Sequence, residues 1–503
     1  MNRKTDNKKI PDVLLPRLSE CLTAKIGLHF SNRNINQLHQ KMTAAMMDFG
    51  YDNIGEFTEW LLSSSPTQNQ IETLASHLTV GETHFFRDGK AFEILEQSIL
   101  PDLIDTRRRT GKRLRFWSAG CSTGEEPYSV AILIKKLIPD LKDWNITILA
   151  TDINSSALQK AEEGIYSDWS FRETPPFFKD KYFERVNGNR HRLLPDIRKM
   201  VTFSYLNLSE DVYPTLQNNT NAMDVIFCRN VLMYFALEHI KLAVERFYRS
   251  LIDGGCLIVS PVETALLNHS PFLAVRFQDS TFYKKDPLKA KKDPRAAKNI
   301  EIESLPRPPP TKTSKHPRPE KLSGATRQAK LKKAKEAERT PYEEAAIFYR
   351  NGSYEEAEAR LRQLMANGGR NQETVVLFTK VLANQGRIEE ALRWCKEAVS
   401  ADKCNAHLHY LLATILEEQK KIDEARVSLR KALYLDRNFV LAHFALANLS
   451  LREGKTADAR KHFGNVTEIL SGYKPDDVIP ESEGITAGRL AEIIGTFWMR
   501  EVS

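Results

Sequence analysis

LRFWSAGCSTGEEPYSV, residues 114–130, begins with an apolar run (Leu114, Phe116, Trp117) and passes through small residues to Gly120 and Gly124. An acidic pair follows, Glu125 and Glu126, and then a helical pattern with Pro127 near its first turn. The order is strand, tight glycine turn, helix. In a doubly wound sheet this turn lies at the carboxyl end of the first strand, where nucleotide-like ligands bind. Glycines let the backbone approach a ligand where a Cβ would collide.

Two details argue against a plain dinucleotide fold. The spacing is Gly-x-x-x-Gly rather than Gly-x-Gly-x-x-Gly, and two carboxylates stand where a pyrophosphate wants bare amides. Carboxylates there suit a cationic ligand with hydroxyls and an amine. S-adenosylmethionine has that chemistry in its sulfonium, amino group and ribose diol.

Around this stretch, from about 112 to 285, strands and helices alternate. ITILAT (146–151) is a strand ending at Asp152, placed where an acid holds a ribose diol. Residues 182–206 suggest a hairpin around Asn187-Gly188 and then another strand. DVIFC (224–228) is an apolar strand ending at Arg229-Asn230. Gly254-Gly255 turns into a strand at 256–260, and AVRFQDSTFYKKD suits an antiparallel edge hairpin. The pattern is Rossmann-like α/β with a small antiparallel β insertion.

Upstream, apolar residues recur at helical spacing in Leu14, Leu18, Leu22 and Ile26, and again in Ile35, Leu38, Met42 and Met46. Gly27 and Gly50 read as helix stops and Asn53 as a cap. We therefore expect an all-α domain over 10–80 and the Rossmann-like sheet over 81–285. LTVGETHFFRD (78–88) breaks the helical pattern and brings Thr83, His84, two phenylalanines and Arg87 together.

Downstream, residues 286–340 hold eight prolines, no aromatic residue, and 16 Lys and Arg against 7 Asp and Glu. That is +9 of a total of +8, which leaves −1 for the rest. The composition predicts a basic flexible linker, and the folded parts have no charge excess that would favour nucleic acid. Beyond it, Ala357, Ala391, Ala425 and Ala459 recur every 34 residues, each after an acid. Gly352, Gly386 and Gly454 keep register, with Lys420 in the fourth slot. This period predicts four tetratricopeptide-type repeats over 338–473, an all-α superhelix with a groove for a protein or peptide, and a capping helix at 484–500. With no run of about 18 apolar residues and no signal-like start, we expect a cytoplasmic protein without membrane insertion. The six cysteines show no C-x-x-C spacing, so no cysteine metal site is expected.

Three stretches taken together, LTVGETHFFRD (78–88), FWSAGCSTGEEPYSVAI (116–132) and DVIFCRNVLMYF (224–235), resemble the chemoreceptor glutamate O-methyltransferases, the CheR family. The resemblance covers about residues 10–285. It implies S-adenosylmethionine as cofactor, no metal, chemoreceptor cytoplasmic helices as acceptor, and recruitment to membrane receptor arrays. It also implies cofactor contacts at Thr83, Arg87, Glu126, Asp152, Asn207, Leu208, Arg229 and Asn230, with the glycine turn at Gly120. Tyr234 matches a tyrosine near the reacting carboxylate, and Arg87 and Tyr234 are the expected catalytic pair. Gly81 stands where family members often have asparagine, which leaves a backbone contact there. Some members dock a receptor tail peptide at the 182–206 region. An alternative is a weak or inactive methyltransferase scaffold acting through its repeats.

Overall fold

The computed structural model describes residues 9–30, 34–175, 177–186, 188–268, 270–277, 280–286, 340–350 and 353–475, then 477–482, 486–488, 490–491 and 494–495. Four helices open it: α1 (Leu15–Ile26), α2 (Ile35–Asp48), α3 (Ile54–Ser63) and α4 (Gln68–Leu78). Leu18, Leu22, Leu38, Met42 and Phe57 form their shared core, because residues three or four apart lie on one helical face. The Asn53 side chain caps α3 by accepting from the amides of Gly55 and Glu56, and Thr67 with Gln70 makes a capping box on α4. Gly27 stops α1 in the left-handed region, at φ 75°.

Ten strands follow: β1 (Arg113–Ala119), β2 (Asn145–Asp152), β3 (Ile165–Ser167), β4 (Phe183–Arg185), β5 (Arg190–Leu193), β6 (Val201–Tyr205), β7 (Met223–Phe227), β8 (Leu251–Ile258), β9 (Leu273–Arg276) and β10 (Thr281–Lys284). Seven make one sheet in the order β6-β2-β1-β7-β8-β10-β9. The five from β6 to β8 are parallel; β10 and β9 add the expected antiparallel edge. β1 lies at the switch point, with β2 on one side and β7 on the other, where a crevice opens beyond the carboxyl ends of the strands.

The structure extends one reading and corrects another. β4 and β5 form the expected hairpin, although Asn187 lies outside the described residues, but β5 also pairs with β3 in a separate three-stranded sheet. β3 is only three residues long, too short to show alternation. The strand expected from Cys256 begins at Leu251, and its pairing shifts register between Met223 and Val225. Gly254-Gly255 is therefore an irregularity within β8 rather than a turn before it. A Cβ on Gly255 would lie 3.0 Å from the carbonyl oxygens of Ile252 and Met223.

Helices Pro341–Arg350 to Thr456–Leu470 pair in sequence as helical hairpins. Ala357, Ala391, Ala425 and Ala459 are buried where those helices meet. Gly386 and Gly454 turn at φ 77° and 73°, and Lys420 adopts φ 57° in the same slot; Gly352 lies outside the described residues. So do most of the expected linker and of the 484–500 helix. Ala487, Leu490 and Ile494, which are described, are buried in the repeat core.

The repeats pack against the amino end of the sheet. Arg113 and Arg115, at the start of β1, meet Glu418 at 2.7 and 2.5 Å. Asn145 Nδ2 donates to the Glu418 carbonyl at 2.8 Å, and Leu216 joins the repeat core. On the first helices of the second and third repeats, Lys380 and His407 face Glu481 at 3.6 and 3.7 Å. Part of the repeat surface is thus covered by the chain itself.

Candidate active site

Every residue singled out in the sequence as a site residue lines one cavity at the carboxyl ends of β1, β2 and β7. The floor is the turn after β1. Gly120 sits at φ 85°, and a Cβ there would come within 2.4 Å of Val231 Cγ2. Only glycine fits that backbone and that space. The amides of Gly120 and Cys121 both donate to the carbonyl of Thr151, at 2.7 and 2.9 Å, which ties the turn to the end of β2.

Asp152 closes β2. Its oxygens accept from the amides of Ser122 and Asn154, both at 2.8 Å. Burial pushes its pKa up against those amide bonds. Each oxygen keeps a lone pair for a hydroxyl.

The adjacent acids are sorted by helix geometry. Glu126 accepts from Ser118 Oγ at 2.7 Å and from Arg229 Nη1 at 3.3 Å and lines the cavity. Burial raises its pKa and Arg229 pulls it back. Glu125 turns to Thr123 and Ser170, at 2.6 and 2.9 Å, and does not line the cavity.

Arg229, beyond the end of β7, has a buried side chain. It donates from Nη2 to the Arg87 carbonyl at 2.8 Å and meets Asp88 at 3.2 Å, so it fastens the 83–88 loop to the sheet. Its Nε is buried without a partner among the described residues. The loop is anchored from its other side by Phe85, fully buried and stacked on Phe171 at 5.2 Å. Sequence reasoning gave the two phenylalanines no role; Phe85 anchors the loop that carries Thr83 and Arg87. Thr83 and Gly81 line the cavity from this loop, and the Gly81 carbonyl accepts from Ser122 Oγ at 3.1 Å. Arg87 donates to the Glu82 carbonyl at 2.7 Å, while Glu82 and Asp88 pair with Arg172 and Arg229. Among the described residues Arg87 has no ion pair. Buried His84 faces Glu173 at 2.9 Å, outside the cavity.

Asn207 and Leu208 border the opposite wall. The Asn207 amide is spent on the Lys25 carbonyl, Glu210 and Ser209, so its backbone is what remains for a ligand. Tyr234 is half-buried, and its carbonyl accepts from the His29 amide at 2.8 Å. An isolated bridge between Leu28 and Phe235 brings the N-terminal helices over the cavity. Lys41 lines it as well, donating to the carbonyls of Leu78 and Thr79. A single lysine within the Leu38–Met42 stripe carried no sequence signal.

The donor set fits S-adenosylmethionine. The cavity offers two half-buried carboxylates for a diol and a cation, and a glycine floor without Cβ atoms. Among the described residues no cluster of three His, Cys, Asp or Glu could hold a metal ion, and no helix is long and apolar enough to cross a membrane.

Residues 81–278 match the CheR methyltransferase, SAM binding domain, and residues 406–439 match a tetratricopeptide repeat. Over 285 residues the chain is 34% identical to chemotaxis protein methyltransferase 2 of Vibrio cholerae, covering 56% of this chain and 96% of that protein. Over 236 residues it is 38% identical to chemotaxis protein methyltransferase 1 of Pseudomonas aeruginosa, covering 46% and 82%. A chemotaxis protein methyltransferase of Borreliella burgdorferi is 31% identical over 252 residues, covering 50% and 87%.

Proposed function

The chain belongs to the CheR methyltransferase family, and on that premise we propose that it forms γ-glutamyl methyl esters on the cytoplasmic helices of a chemoreceptor-like protein, with S-adenosylmethionine as donor. The observation that carries this reading is the convergence of Arg87, Glu126, Asp152, Arg229 and Tyr234 on one cavity at the switch point of the sheet.

The bound cofactor supplies a methyl group activated by its sulfonium. A glutamate carboxylate, with a pKa of about 4.3, is ionised near pH 7 and needs no general base. The protein's task is to set an oxygen in line with the methyl, about 3 Å away, and to keep water out. Asp152 holds the ribose diol, Glu126 faces the methionine part, and Arg229 fixes Glu126 and the 83–88 loop together. Arg87 orients the incoming carboxylate. Its hold must be modest, because a tight ion pair would dull the nucleophile. The Tyr234 hydroxyl donates to the oxygen that does not react.

The repeats, in this reading, bind a protein partner on the part of their surface that is not held against the sheet, and so bring the enzyme to its receptor. The test is calorimetric binding of S-adenosylhomocysteine followed by transfer from methyl-labelled donor to receptor-rich membranes. Tyr234→Phe lowers kcat about 10-fold or more with product affinity unchanged, and Arg87→Ala lowers both, as loss of one charge-assisted hydrogen bond requires. Binding without transfer to any receptor would leave the scaffold reading instead.

A further inference from the structure

The turn after β7 carries Asn230, Val231 and Tyr234 into the cavity, yet it is not a regular element. Asn230 sits at φ 60°, a conformation that neighbours must hold in place. The hold comes from Glu263, in the 3-10 helix Pro261–Leu267 beyond β8. Glu263 is 0% exposed, and its two oxygens take five hydrogen bonds. One accepts from the amides of Val231 at 2.8 Å and Met233 at 3.2 Å. The other accepts from the Asn230 amide at 2.8 Å, the Ser260 amide at 3.0 Å and Ser260 Oγ at 2.5 Å.

The bond from the Ser260 amide belongs to a helix cap, and the Ser260 hydroxyl adds a local bond to the same oxygen. The three to the turn exceed any capping need. Val231 packs directly over Gly120, and the Tyr234 amide donates to the Val231 carbonyl at 3.1 Å. One buried carboxylate therefore fixes the turn that bridges the glycine floor and the tyrosine.

We propose that Glu263 is a positioning residue for methyl transfer, setting through the 230–234 turn the distance between the donor's floor at Gly120 and Tyr234. The inference rests on the functional reading of the same cavity. A carboxylate is needed because the turn presents only donors; glutamine of the same length would face amide hydrogens with its own.

The test compares wild type, Glu263→Gln and Ser260→Ala as full chains, with S-adenosylhomocysteine binding, a kcat and KM split, and thermal melting. Wild type without product binding or transfer would sink the functional reading itself, before any variant is considered. With wild type active, Glu263→Gln is expected to melt above the assay temperature, to bind product within several-fold of wild type, and to lose at least tenfold in kcat. Ser260→Ala, which keeps all three turn bonds, stays within twofold. A Glu263→Gln protein with wild-type kcat overturns the proposal. If that variant does not fold, Glu263→Asp, which keeps the charge but draws it back by one methylene, decides: kcat reduced severalfold with product affinity within threefold supports the proposal, and unchanged kcat overturns it.

Discussion

Arg115 lies in the first half of β1, and Glu126 stands in the first turn of the helix Glu125–Leu137 that follows the glycine turn beyond its carboxyl end, so the same strand has charge taken from bulk water near both ends. At the amino end the Arg115 side chain donates to the carbonyls of Asn221 and Asn219, to the Asn219 side chain and to Glu418. Burial lowers its pKa to about 10, with Glu418 opposing. Burial likewise pushes Glu418 up, but Arg115 and Arg113 hold it below its usual value. That end is closed, and its charges hold the repeats to the sheet. At the carboxyl end, Glu126 and Asp152 have raised pKa values and line an open cavity together with Arg229. Burial alone therefore does not mark a site. Polar capacity left over at a cavity does.

Breaking the closed end carries the largest expected effect. Glu418→Ala strands Arg115 in the interior and costs about 3–5 kcal/mol, seen as separate melting of the repeats, with S-adenosylhomocysteine affinity within twofold of wild type. Equal loss of cofactor affinity would mean that the two ends are not independent. At the open end, Asp152→Asn weakens product binding by about 1.5–3 kcal/mol and leaves the melting of the repeats in place. The raised carboxyls at this end also make affinity for the cationic donor fall on acidification, because a proton must leave before the charge can be used. Calorimetry as the pH is lowered from neutral into the carboxylate range should show that fall, and Asp152→Asn should flatten it. The smallest effect belongs to the repeats alone. Lys420 adopts a left-handed conformation in a slot where the sequence of the three other repeats has glycine, so Lys420→Gly raises stability by about 0.5–1 kcal/mol in thermal melts.

The open end was largely legible in the sequence, because its chemistry sits within a few residues of strand ends. Gly120, Asp152 and Arg229 each follow a recognisable apolar strand. The choice of Glu126 over Glu125 came from the family resemblance and not from spacing, since neighbours in sequence diverge by about 100° on a helix. Only the fold shows which one meets Ser118 and Arg229. Glu263 was hidden for a different reason: it reaches its amides across 30 to 33 positions and between two strands. The closed end was illegible altogether. Arg115 and Glu418 are 303 positions apart, and no local pattern announces a docking charge. The repeats themselves were plain from their period, but where they rest on the sheet was not.

The most direct test of the account uses methyl-labelled S-adenosylmethionine, the full chain and membranes rich in the host's receptors. After mild alkali, volatile labelled methanol is counted, because a γ-glutamyl methyl ester releases it and a methylated amine does not. The account predicts alkali-labile methanol that falls at least tenfold in Tyr234→Phe. Transferred label that resists alkali, or methanol release that Tyr234→Phe leaves unchanged, would contradict it.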